Sequence, residues 1–108
     1  MKIIKNKPPG HLSTESKKFW VKLVFEYNID DPAGLKILQV SLEAFDRAQA
    51  ARKIIKKDGM TIVDKNLQIK SHPLLAVERD NRAAFLAGLK ALNLDMEPLK
   101  GIGRPAGR

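Results

Sequence analysis

The sequence predicts a mainly α-helical fold: a short helix, a long helix, a small β-hairpin or ordered loop and a third helix, set between basic tails. Three observations point there. Apolar residues recur at three- and four-residue steps over three separate stretches. Capping and breaking residues, Ser13, Asp31-Pro32, Gly59 and His72-Pro73, stand at the ends of those stretches. Between the second and third, the period changes from helical to alternating. At 108 residues, 44% apolar and 30% charged, the chain suits one globular unit.

Residues 1–12 carry Lys2, Lys5 and Lys7 and then Pro8-Pro9-Gly10, which resists helix and reads as a flexible basic arm. The single helical domain spans 13–94. Ser13 can cap a first helix over Thr14 to Tyr27, with Glu15 near the positive end of its dipole. Phe19, Trp20, Leu23, Val24 and Tyr27 fall on one face, while Val21 and Phe25 spill onto the other, so this helix calls for two neighbours. Asp31 and Pro32 restart the chain as a long helix that runs to Lys57 or Asp58, where Gly59 ends it. Leu35, Leu38, Leu42 and Phe45 form its apolar stripe. Ala44, Ala48 and Ala51 form a small-residue strip that admits another helix closely, and they are placed with Trp20 at a subunit contact.

The hairpin is expected at about 60–71, from Thr61-Ile62-Val63 and Leu67-Gln68-Ile69-Lys70 around a polar centre; because a lone hairpin is barely stable, it must lean on the helices or on a neighbouring chain. The third helix opens at His72-Pro73 and ends near Asn93, with Leu74, Val77, Ala84, Phe85, Gly88 and Leu92 as its buried side. Residues 95–108, rich in glycine and proline, read as a disordered basic tail.

A formal net charge of +8 makes a polyanion the natural partner. Lys5, Lys7, Lys17, Lys18 and Lys22 in the first part of the chain, and Lys53, Lys56 and Lys57 at the end of the long helix, are the candidate phosphate contacts; a merely solvated face is the competing reading. Arg104 stands in Gly101-Ile102-Gly103-Arg104-Pro105, which partly matches a minor-groove hook but has isoleucine where its first arginine would be. Arg79 and Arg82 beside Glu78 and Asp80 suit ion pairs, with Glu43 and Asp46 facing them from the long helix.

Other classes find little support. Without cysteine there is no disulfide framework or thiolate site, and His11 and His72 have no second ligand at metal spacing. No phosphate-cradling loop, nucleophile with adjacent base or convergent carboxylate set is visible, so neither an enzyme nor a cofactor is expected. No apolar run marks a signal or a membrane span, which predicts a cytoplasmic protein with no membrane partner.

The order of Pro-Pro-Gly-His-Leu-Ser at 8–13, Phe19-Trp20, Leu42 to Asp46, Asp58-Gly59, His72-Pro73, Glu78-Arg79 and Gly103-Arg104-Pro105 resembles the compact helical small subunits of phage terminases. That resemblance implies a homo-oligomeric ring in the host cytoplasm. It implies binding to double-stranded viral DNA at the packaging-initiation region and recruitment of a large subunit that carries the ATPase and nuclease. Two other functions remain open: a small repressor-like DNA-binding regulator, using the turn at Asn28 to Asp31 in a helix-turn-helix, and a ring-forming head-assembly adaptor.

Overall fold

The computed structural model describes residues 6–93. Among them are three helices and one antiparallel hairpin: α1 (Thr14–Tyr27), α2 (Pro32–Asp58), β1 (Thr61–Val63), β2 (Ile69–Ser71) and α3 (Leu74–Ala91). The mainly helical fold expected from the periodicity is the fold observed. Lys5 and Arg104, the first five residues of the arm and the tail over 95–108 lie outside the described residues.

Local chemistry sets each boundary. Ser13 accepts from Ser16 N at 3.1 Å and caps α1, and Asn28 closes it in the left-handed region at φ 54°. Asp31 accepts from Gly34 N at 2.9 Å, with Pro32 in the first turn of α2. Gly59, at φ 92°, ends α2, a conformation L side chains rarely take. The strands pair Thr61 with Ser71, Ile62 with Lys70 and Val63 with Ile69. In the turn between them, Asp64 accepts from Asn66 N and Gln68 N, and Leu67 takes φ 62°, so Leu67 belongs to the turn and not to the second strand.

The hairpin returns the chain so that α3 runs antiparallel to α2. Arg47 Nε donates to Asn81 Oδ1 at 3.0 Å, Phe45 meets Phe85 at 5.0 Å between ring centroids, and Ser41 lies against Gly88, which fixes the register. The α2 side of this seam is Ser41, Ala44, Ala48 and Ala51, all buried. The small-residue strip does admit a helix closely, but the helix is α3 of the same chain. Ala44, Ala48 and Ala51 are thus spent on the internal core and are not free for a subunit contact.

Two expectations for α3 also change. Val77 is 39% exposed and Ala84 is exposed, because the face toward α2 follows Leu74, Glu78, Asn81, Phe85, Gly88 and Leu92 instead. Glu78, expected on the polar side, keeps only 14% of its side chain in solvent and takes hydrogen bonds from Arg82 Nε and Nη2, both at 3.1 Å.

Helix α1 folds back along α2 from the Ile29 corner. Leu12, Trp20, Ile29, Leu38 and Leu42 make the core, with Phe19, Leu23, Phe85 and Leu92 packed around it. Phe19 bridges the three helices, edge-on to Phe45 at 5.8 Å and tilted on Phe85 at 6.3 Å. Over residues 6–12 the stretch expected as a free arm lies against the helices: Leu12 is buried, and Asn6 O accepts from Trp20 Nε1 at 2.9 Å. Trp20, 4% exposed, is therefore a core residue of the chain and not a subunit contact.

The α2–α3 seam can be tested at its tightest point. A Cβ at Gly88 would overlap Ser41 Oγ and stand 2.9 Å from Ser41 Cβ. Gly88→Ala should lower the unfolding free energy by about 1–3 kcal/mol despite its better helix propensity, as overpacking does. In urea titrations, Gly88→Ala should cost less in a Ser41→Gly background than in the parent, since that change removes both obstructing atoms.

Candidate nucleic-acid interface

The candidate DNA contacts separate into two lysine groups. Lys17, Lys18 and Lys22 lie on α1 and Lys53, Lys56 and Lys57 near the end of α2; all but half-buried Lys17 are exposed. At 100° per residue, the core residues of α1, Ser16, Phe19, Trp20, Leu23 and Tyr27, occupy one side, and Lys17, Lys18 and Lys22 occupy the opposite side. On α2 the stripe that receives α1, Leu38, Leu42 and Phe45, continues by three- and four-residue steps through Gln49 to Lys53 and Lys56. Because Ser13 and Ser16 at the start of α1 meet Asp46, the second lysine group begins two turns beyond, on the same side of α2. The fold thus puts two basic groups, far apart in sequence, on one side of the molecule. Lys7 is elsewhere: it borders a hollow beside Trp20, Pro32 and Lys36.

Ion pairing divides the basic residues further. Arg52 and Arg82 both approach Glu78, Arg79 pairs with Asp80, and Lys70 pairs with Asp64. Among the described residues, no carboxylate lies within ion-pair distance of Lys17, Lys18, Lys22, Lys53, Lys56 or Lys57. Glu43 and Asp46 do not meet Arg79 and Arg82; they face the other way. Glu43 Oε2 lies 2.7 Å from His11 Nε2 and accepts from Gln39. Glu43 sits below its ordinary pKa because of the Gln39 and His11 hydrogen bonds.

Asp46 anchors the basic helix. Its carboxylate accepts from Ser13 N at 2.9 Å and from Ser13 Oγ and Ser16 Oγ, both at 2.6 Å, at the amino end of α1, where a negative charge also suits the helix dipole. Burial raises the Asp46 pKa, but these hydrogen bonds and nearby His11 outweigh it and hold the group below its ordinary value. Against the sequence, no known protein family, curated protein or solved structure matches.

His72 is buried at the foot of the hairpin. Its Nδ1 accepts from Leu74 N at 3.1 Å, which leaves the proton on Nε2, donated to Asp58 Oδ2 at 3.0 Å. It ties the end of α2 to the start of α3 and has no further ligand, and among the described residues no group of three metal-binding side chains occurs. The helix-turn-helix reading fares poorly. Leu38 is fully buried and Leu35 and Ile37 are half-buried, while the exposed side of the first turns is Pro32, Ala33, Lys36 and Val40, which offers a groove one cation and no arginine, asparagine or glutamine. No described helix is long and apolar enough to cross a membrane.

Sequence reasoning missed how much apolar surface the hairpin leaves in solvent. The hairpin exposes Met60, Val63, Leu67 and Ile69, between 60% and 84% of each. The alternating pattern over 61–70 gave no signal of this, since alternation separates two faces without saying whether either is covered. On α1, Val21 and Phe25 are 42% and 76% exposed between the lysines.

Asp46 should make stability acid-sensitive. A carboxylate with a lowered folded pKa contributes stability that is complete above its unfolded pKa, about 4, and lost as pH falls through the folded value. Asp46→Ala should cost about 2–3 kcal/mol at pH 7, and the difference from the parent should shrink in denaturation curves taken toward pH 2.

Proposed function

We propose that this chain is a DNA-binding small terminase subunit: it assembles as a homo-oligomer, engages double-stranded viral DNA and presents that DNA to a large subunit in the host cytoplasm. The observation that carries the reading is the pair of unpaired lysine groups on one side of the molecule. Lysine is a flexible point charge with no planar fork, so such a face suits phosphates and positions the protein without reading bases. The resemblance in motif order supplies the packaging context, and repetition around an oligomer would multiply individually weak contacts. No catalytic role is proposed, since the chemistry of cutting and pumping would belong to the large subunit.

The oligomer must use surfaces other than those first expected, because Trp20 and the alanine strip are internal. The hairpin is the best-suited surface among the described residues. Val63 and Ile69 are cross-strand partners on one face, 60% and 74% exposed, and among the described residues no third strand pairs with the outer edge of either.

Two measurements test this. In a salt series of fluorescence anisotropy with duplex DNA, replacing Lys53, Lys56 and Lys57 by alanine should reduce the slope of log K against log salt by about 2–3; an unchanged slope would remove those lysines from the interface. Light scattering coupled to size exclusion should find a discrete multi-subunit species that Val63→Asp with Ile69→Asp converts to monomer. A parent protein that is monomeric at all concentrations would sink the ring.

A further inference from the structure

Residues 6–13 run along α2 in its own direction. Lys7 and Pro9 share a hollow with Pro32, Leu35, Lys36 and Gln39; further on, His11 reaches Glu43 and Ser13 reaches Asp46. The stretch is held near both ends, by Trp20 Nε1 donating to Asn6 O at 2.9 Å and by buried Leu12. It therefore forms a fixed wall. The hollow between it and α2 has a volume of about 380 Å³, within the range of small-molecule sites, and Trp20, Pro9, Pro32 and Leu35 supply its apolar lining.

Two cations reach this hollow from different walls, Lys7 from the leader and Lys36 from α2. The carboxylates nearby in sequence are taken up elsewhere: Asp31 accepts from Gly34 N at 2.9 Å, and Glu43 meets His11 and Gln39. Among the described residues, no carboxylate lies within ion-pair distance of Lys7 or Lys36. Gln39 commits its Nε2 to Glu43 at 3.0 Å, which leaves its Oε1 as an acceptor. Two ammonium groups on one hollow call for a doubly charged ligand. A carboxylate and a DNA phosphodiester each carry a single charge, whereas a phosphate monoester carries about −1.5 to −2 at neutral pH. Lysine meets phosphate as a point charge from any direction. The apolar lining then covers the organic part of such a ligand, and Gln39 Oε1 can take a hydroxyl proton from it.

We propose that this hollow binds a small phosphate monoester of the sugar-phosphate or nucleotide class, with the phosphate between Lys7 and Lys36 and the organic part on Pro9, Pro32 and Leu35. Bound there, the ligand links the leader to the start of α2 and steadies the stretch that brings Ser13 to Asp46. The site stands apart from the nucleic-acid reading, which uses other lysines.

Trp20 is the only tryptophan in the chain and lines the hollow, so its emission reports on occupancy. Titrating the full-length protein with ribose 5-phosphate at constant ionic strength should give a saturable change, with calorimetry on the same samples detecting binding that leaves the emission unaltered. Burying two or three carbon groups of the sugar should make this binding about tenfold tighter than that of inorganic phosphate. Lys7→Gln and Lys36→Gln should each weaken it about tenfold while leaving the urea midpoint where it is in the parent. Lys22→Gln, on the outer side of α1, should leave it unchanged. No saturable binding by either method, or an affinity untouched by Lys7→Gln and Lys36→Gln, would overturn the proposal. Acetate or dimethyl phosphate binding as tightly as ribose 5-phosphate would overturn it too, and would give the hollow to a carboxylate or to a DNA phosphodiester instead.

Discussion

Close approach of α2 and α3 is the constraint on which the rest of the molecule depends. Ser41, Ala44, Ala48 and Ala51 present almost no side chain along one face of α2, and Gly88 removes the last obstacle from α3. Because the two backbones come close, Phe45 and Phe85 are forced to meet beside the seam instead of within it, and there Phe19 of α1 can join them. Glu78 is drawn to the edge of the seam and must be neutralised, which Arg82 does from the next turn and Arg52 from across it. The arginines of this region are thereby committed to the fold.

Helix α1 is held differently. Its inner face contributes Trp20 and part of the aromatic group, its amino end is fixed by hydrogen bonds to Asp46, and its outer face carries exposed Val21 and Phe25 near Pro8 of the leader. A helix attached by one face and one anchored end can present its other side outward without loss of position. Lysines there cost little, since they remain hydrated, while Val21 and Phe25 beside them leave apolar area in water that a packed helix would normally cover. The first helix, read as wanting two neighbours, meets α2 along its inner face and α3 through Phe19 on Phe85.

Element boundaries were legible because they are written locally. Ser13, Asp31-Pro32, Gly59 and the turn near His72 act within a few residues, and the structure uses them as read. Partner assignment was not, because periodicity says which residues share a face and is silent on what covers it. Ala44, Ala48 and Ala51 look the same in sequence whether the approaching helix belongs to this chain or to a neighbour. Glu78 was misplaced for a related reason: a charged residue at a seam position reads as surface until its two arginines are seen. Asp46 was put opposite the wrong partners, since nothing in its own helix points to Ser13 and Ser16, some thirty residues away. The exposure of Lys18, Lys22, Lys53, Lys56 and Lys57 was easier to read, as a lysine without a nearby carboxylate has few alternatives to solvent.

The pattern of pairing bears on the kind of recognition the proposed function would need. Reading bases in the major groove asks for arginine, asparagine or glutamine held rigidly toward the edge of a base. Here the arginines of α3 are tied to carboxylates, Asn81 is tied to Arg47 and to Val77 O, and Gln39 is tied to Glu43. The unpaired cations on the two lysine groups are flexible side chains that satisfy a phosphate from many directions. Such a surface gains affinity from counterion release and from the number of copies engaged at once. Discrimination among DNA sites would then follow from how readily a given sequence bends or narrows against a repeated basic surface, so that the spacing between copies, and not any one side chain, would carry the selectivity.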